Sequence, residues 1–160
     1  MVSELAKRIE KALATVLLPC GFTKRGFLFL RQSHDVFHLV ELQNSVANTR
    51  TNSKCTVNVG VWVPALASDD KPSLAAAHWR QRLGLLCPEH EDMWWQTSSQ
   101  QSASALAAEV ADRVQRYALP SFVSLANASA LVAVWRGGTS PGLTKVQASR
   151  FERLLAASRQ

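Results

Sequence analysis

Residues 18–64 read LPCGFTKRGFLFLRQSHDVFHLVELQNSVANTRTNSKCTVNVGVWVP, two β-hairpin patterns in succession. Phe27–Arg31 has the composition of a strand, Gln32–Asp35 that of a turn, and Val36–Ser45 that of a second strand. Val46–Ser53 is a polar loop, and Lys54–Val63 is a third strand stopped by Pro64. The alternation of side chains sets the register. If residues 45 and 54 close the second hairpin, Gln43 faces Thr56, Glu41 faces Asn58, Leu39 faces Gly60 and Phe37 faces Trp62. On the opposite face Leu42 meets Val57, Val40 meets Val59, His38 meets Val61 and Val36 meets Val63. One face of the third strand is then Cys55, Val57, Val59, Val61 and Val63 without a break, which marks it as the core face. A slip of one residue would bury Lys54 and Asn58, and burying unpaired polar groups is costly. The same symmetry in the first hairpin places Phe27 and Phe29 on the core face, with Leu28 and Leu30 on the other.

Outward from this sheet the periodicity becomes helical. Ser3 is placed to cap a helix whose Leu5, Ile9, Leu13, Val16 and Leu17 form one apolar stripe, ended by Pro19 and Gly21. Downstream of Pro64, Ser73 is read as the cap of a short helix running to Gly84, and Cys87–His90 as a loop. Trp94–Thr97 is read as a fourth strand. Leu106, Val110, Val114 and Tyr117 mark a longer helix expected to end at Pro120, and Ala128–Arg136 marks another. Thr144 and Gln147 form a capping box ahead of a last helix through Leu154 and Leu155. The expected fold is α+β: an antiparallel sheet of about four strands, with an N-terminal helix and C-terminal helices packed on one face. Residues 1–136 are expected to form a single domain, and 137–160 a linker and C-terminal helix packed on it.

Composition narrows the function classes. The chain has 160 residues, 47% hydrophobic and 19% charged, with a formal net charge of +6. That is a globular composition with room for a real core. The basic excess sits in residues 1–60 and 93–160, while 61–92 is acidic. No basic run resembles a nucleic-acid tail, so a nucleic-acid role through the two basic segments is an unfavoured alternative. Three widely spaced cysteines, Cys20, Cys55 and Cys87, argue against a disulfide framework and for a reducing compartment. Charges at Glu4, Lys7, Arg8, Glu10 and Lys11 interrupt any secretory leader, and no apolar run approaches the roughly 20 residues of a membrane span. A cytoplasmic location is expected, without membrane contact.

Several blocks together carry a resemblance. They are Leu18-Pro19, Gly21-Phe22, Lys24-Arg25-Gly26, Phe29 and Arg31; Leu42-Gln43 with Ser45; and Thr56, Asn58, Gly60-Val61 and Pro64. Arg82-Leu83-Gly84 and Trp94-Trp95 follow. Over roughly residues 13–120 the chain resembles the bacterial family called domain of unknown function 4304. The resemblance implies a small bacterial cytoplasmic domain and supplies no catalytic residues.

The sharpest chemical candidate comes from the register itself. Glu41, Gln43, Asn58 and Thr56 project from one sheet face within two cross-strand pairs, a carboxylate flanked by carboxamides suited to a polar ligand. Phe37 and Trp62 stand further along as an apolar wall. The bland alternative is a sheet face that is simply wet. Adjacent Trp94 and Trp95 must point to opposite faces of a strand, one into the core and one outward as an anchor for a partner. Lys24, Arg25 and Arg31 cluster around the first strand, as an anion site or as a charged edge that blocks aggregation. Cys87 and His90 have ligand spacing but no second pair, so no metal is expected. His38, among valines, is read as a buried, hydrogen-bonded histidine, and Cys20 as packing at a helix end. Gly137–Gly142 lacks the lysine of a phosphate loop, and no cofactor motif is present. The leading expectation is a binding module for an unknown protein or small polar ligand, with Glu41, Gln43, Asn58, Trp62, Trp94, Trp95, Lys24, Arg25 and Arg31 as contacts. The rival is a small enzyme with Glu41 as acid or base.

Overall fold

A computed structural model describes residues 2–49, 52–98 and 101–159. The chain runs α1 (Glu4–Leu17), β1 (Thr23–Arg25), β2 (Leu28–Ser33), β3 (Val36–Asn44), β4 (Lys54–Trp62), β5 (Trp79–Arg82), α2 (Leu83–Leu86), β6 (Trp95–Gln96), α3 (Ala103–Arg113), α4 (Leu119–Val123), α5 (Ala128–Arg136) and α6 (Lys145–Ser158). The fold is α+β. The strands are antiparallel and form one sheet of six in the order β1-β2-β3-β4-β5, with β6 also paired to β4. This exceeds the expected four strands. The three-residue β1 and the four-residue β5 are too short to leave a periodic signal.

The central register follows the alternation. Gln43 pairs with Thr56, Leu42 with Val57, Glu41 with Asn58, Val40 with Val59, Leu39 with Gly60, His38 with Val61 and Phe37 with Trp62. The Ser45 amide donates to the Lys54 carbonyl at 2.9 Å, closing the hairpin. Part of the connecting loop, Arg50 and Thr51, lies outside the described residues. The valine face of β4 is fully buried with Phe29, Val40 and Leu42 against α1, α3 and the C-terminal helices, in one core that also takes Leu131, Ala148 and Leu155.

The opposite face is not simply wet. Leu28, Leu39, Trp62, Leu74 and Ala77 form a second, smaller apolar cluster there. The segment after Pro64 folds back over the sheet to supply its cover. Gly60 is where the two meet: a Cβ on it would lie 2.8 Å from Leu74 Cδ1 and 3.2 Å from the Trp79 carbonyl. The absence of a side chain at this glycine is therefore used by the chain itself, which packs directly onto it.

Two sequence readings are corrected. The helix expected from Ser73 to Gly84 is a turn followed by β5. Ser73 Oγ accepts from the Ala76 amide at 3.2 Å, so it does cap, but for one turn only. Leu74-Ala-Ala-Ala77 has helical composition, yet pairing of Trp79–Arg82 to β4 outweighs that propensity. The expected stop at Pro120 is also absent. Residues 114–118 widen into a π turn, with the Leu119 amide reaching the Val114 carbonyl, and Pro120 then sits in the first turn of α4. A proline lacks the N–H that a first-turn position does not need. Strand ends shift by one or two residues, with β2 running on to Ser33, while two helix starts stand as read: Ser3 caps α1 through the Ala6 amide at 3.1 Å, and Thr144 with Gln147 forms the capping box of α6. Cys20 is exposed, where packing at the helix end was expected.

Two histidines tie the sheet to the C-terminal half. His38, 1% exposed, donates from Nε2 to the Leu125 carbonyl at 2.9 Å and stacks on Phe122 at 4.3 Å. Its Nδ1 accepts from Arg31 at 3.1 Å. His78, 3% exposed, accepts the Val63 amide at 2.9 Å and meets the Phe151 ring edge-on. Burial lowers the pKa of both to about 4; for His38 the hydrogen bond to Leu125 opposes this and the Arg31 charge adds to it. A histidine whose folded pKa is depressed contributes stability above its unfolded pKa, and loses it as pH falls toward the folded value. From pH 6.5 down to the folded pKa each stands to lose on the order of 3 kcal/mol, against a total stability of roughly 5–15 kcal/mol. Urea midpoints are therefore expected to fall steeply between pH 6.5 and 5, before ordinary carboxylates titrate. His38→Gln is expected to be less stable at pH 7 but with a visibly shallower slope over that interval; an unchanged slope would remove His38 from the account.

Candidate functional site

The second sheet face carries a continuous cross-strand row: Arg25 on β1, Leu28 on β2, Glu41 on β3, Asn58 on β4 and Arg82 on β5. The apolar cluster covers one end of this face. The other end is a cavity of about 480 Å³ lined by Glu41, Gln43, Asn58, Arg80 and Arg82, with Leu74, Ala75, Gln81 and Gly142 completing the wall. That volume lies within the range of small-molecule sites.

Its side chains are organised from the floor upward. Asn58 Nδ2 donates to Gln43 Oε1 at 2.8 Å, and Arg82 donates to the same oxygen at 3.2 Å. Arg82 also approaches Asp92 at 3.4 Å and lies over the Trp94 ring at 5.0 Å. Arg80 donates to the Ala75 carbonyl at 3.0 Å. The Arg80 amide donates to the Pro141 carbonyl at 3.0 Å, so the connection between α5 and α6 docks on the outer edge of β5. Gly142 has φ of 78°, and a Cβ there would lie 2.1 Å from Arg80 Cγ. Only glycine meets both demands. The segment read as a linker is thus a wall of the cavity.

Glu41 stands apart from this network. Its carboxylate is half-buried, and among the described residues it has neither an ion pair nor a hydrogen bond. Burial raises its pKa above the ordinary carboxylate value. Arg80 and Arg82 line the same cavity, yet neither closes on it.

The structure brings Glu41, Gln43 and Asn58 together and disperses the other expected contacts. Thr56 is covered, its hydroxyl donating to the Met93 carbonyl at 2.7 Å. Trp62, 3% exposed, packs against Phe37 at 5.7 Å in the second apolar cluster, and its indole N–H is buried without an acceptor. It is no wall for a ligand. The two tryptophans do split across the sheet: Trp95 is core and donates to Glu109, while Trp94 lies half-buried against Lys54 and Arg82. The basic cluster does not converge. Lys24 pairs with Glu10, Arg25 donates to the Pro72 carbonyl at 2.6 Å, and Arg31 donates to the Cys20 carbonyl and lies over Phe22. Cys87 is buried with its thiol donating to the Leu83 carbonyl, and His90 bonds the Leu85 carbonyl. Among the described residues no three His, Cys, Asp or Glu side chains gather as a metal site would require. No single helix among them is long and apolar enough to cross a membrane.

Arg80, Arg82 and Gly142 are the lining residues the sequence reading missed. The sequence offered no periodic signal for the arginines: Trp79–Arg82 is only four residues long, follows an alanine run and carries Gln81 at an inward position.

The model of the family described as a domain of unknown function, DUF4304, matches residues 13–124. The chain belongs to this family. Neither the curated proteins nor the solved structures contain a match to it. In this DUF4304 chain the matched region holds every lining residue of the cavity except Gly142.

An unpaired, partly buried carboxylate costs stability, and the sign can be tested. A carboxyl with raised folded pKa imposes no penalty below its unfolded pKa and its full penalty once pH exceeds the folded one. Glu41→Gln is expected to melt above wild type at pH 8, with the difference closing by pH 4. A variant that melts below wild type at pH 8 would show that the carboxylate is satisfied within the fold.

Proposed function

We propose that this chain is a binding module whose cavity on the second sheet face takes a small polar ligand. The observation that carries the reading is Glu41: a carboxylate held half-buried at a cavity wall with no ion pair or hydrogen bond among the described residues. Natural sequences tolerate such a cost mainly where function requires it. The neighbouring groups suit recognition. Asn58 and Gln43 fix each other by a hydrogen bond, which leaves the Asn58 carbonyl oxygen and the Gln43 amide donors for a ligand. Arg82 is braced by Gln43, Asp92 and Trp94, so its position is set in advance.

A small ligand fits better than a protein surface. Protein interfaces lean on exposed aromatic anchors, and here Trp62 and Trp95 are consumed by the two cores. Binding also fits better than catalysis: the described lining residues include no Ser, Cys, His or Lys to act beside Glu41. Three arginines of the C-terminal half, Arg113, Arg116 and Arg136, are each matched to a carboxylate, which weakens a nucleic-acid reading of that segment. Its three free cysteines support a reducing, cytoplasmic setting for the module.

A thermal-shift screen of small polar metabolites tests this. A ligand at 100 times its Kd is expected to raise Tm by about 5 °C or more. The double variant Gln43→Ala/Asn58→Ala is expected to fold and to lose that shift. Equal shifts in both proteins would place binding elsewhere, and a screen without any stabilising compound would defeat the proposal.

A further inference from the structure

We infer that the ligand is a zwitterion of the amino-acid type, its cationic amino group held by Glu41 and its anionic group by Arg80. This rests on the cavity being a binding site, and adds the chemistry of what enters it. The observation is a pair of opposite charges that line one cavity without meeting. Glu41 has no ion pair among the described residues. Arg80 spends one N–H on the Ala75 carbonyl and has no carboxylate partner among them. Left to itself, such a pair would be expected to close into a salt bridge.

The fold prevents that closure. Glu41 is on β3 and Arg80 on β5, with β4 between them. Strands lie about 4.8 Å apart, and Arg80 pairs with Gly60 whereas Glu41 pairs with Asn58, so the two backbones are separated by two strand spacings and a two-residue offset, roughly 12 Å in all. Arg80 is further fixed by Ala75 on one side and by Gly142 beneath its side chain on the other. A molecule with a cation and an anion a few ångströms apart spans such a gap with one charge-assisted hydrogen bond of about 2.8 Å at each end. A lone cation would satisfy Glu41 and leave Arg80 unmatched, and a lone anion would do the reverse.

The floor between the charges is ordered in the same sense. On the Glu41 side, Asn58 offers its carbonyl oxygen as a second acceptor for an ammonium, because its Nδ2 is already donated to Gln43. Arg82 does not compete for the anion to the same degree, since the Asp92 carboxylate already offsets its charge and Gln43 Oε1 takes one of its donors. Acceptors therefore stand at one end of the cavity, and at the other a cation with no carboxylate partner among the described residues. The cavity, at about 480 Å³, is large enough for a single amino acid or a dipeptide.

Calorimetric titration of the full chain with a panel of free α-amino acids and simple dipeptides tests the inference. Each probe is paired with its N-acetyl and its C-amide derivative. At least one free zwitterion is expected to bind saturably, with each derivative at least tenfold weaker. In Glu41→Gln the free and N-acetyl forms are expected to bind alike, and in Arg80→Gln the free and C-amide forms. That pattern assigns each end of the ligand to its residue, and a general loss of folding would not reproduce it. Equal binding of the free and blocked forms would overturn the inference, as would stabilisation by a neutral or singly charged metabolite alone. Either result leaves the cavity standing as a binding site. Only the absence of any ligand, charged or neutral, removes both.

Discussion

Strand β4 is hydrogen-bonded along both of its edges, and the rest of the molecule is arranged around that fact. One edge pairs with β3 over its whole length; the other is divided between β5 at residues 58–61 and β6 at residues 54 and 55. With its backbone saturated and its valines buried, β4 cannot slide. A shift of one position would exchange Val57 and Val59 for Thr56 and Asn58 at the helices, and several buried polar groups would outweigh any helical or turn preference nearby. The two-layer architecture, the position of the cavity and the spacing of its charges all inherit this fixed register.

How much of this could be read beforehand follows from the physics of each element. The hairpin of β3 and β4 was legible because burial on one face forces period-two alternation over nine residues, from Lys54 to Trp62. The capping residues Ser3 and Thr144 were legible because a helix start needs a side-chain acceptor at one defined position. β5 was not legible. Its four residues owe their conformation to a vacant half-edge on β4, a tertiary circumstance that no local pattern records. Pro120 misled for the same reason: whether a proline stops a helix depends on whether the preceding turn can widen.

The site shows a matching division. Glu41, Gln43 and Asn58 were placed together by register alone, because their relation is set by one hairpin. Arg80, Arg82 and Gly142 come from segments 18 or more residues beyond the end of β4, brought in by folding. The polar face was anticipated, but half of it is covered by the chain between Pro64 and His78, which converts an open sheet into a bounded cavity. Trp62 was assigned to ligand and lies beneath that cover. Exposure, unlike register, is decided by what folds back over a surface.

The hairpin of β2 and β3 is fastened to the C-terminal half at three points. Ser33 donates to the Ala126 carbonyl, Asp35 accepts the Ala128 amide at the start of α5, and His38 donates to the Leu125 carbonyl. These partners are separated by 93, 93 and 87 residues. A ribosome adds roughly 5–20 residues per second, so the hairpin waits on the order of 5–20 s for its fasteners. Early in that interval, before α3 is made, α1 is already available to cover the valine face of the sheet. The placement of α1 ahead of the strands in the chain gives the nascent protein an apolar lid at the stage when its sheet is most prone to stick to another.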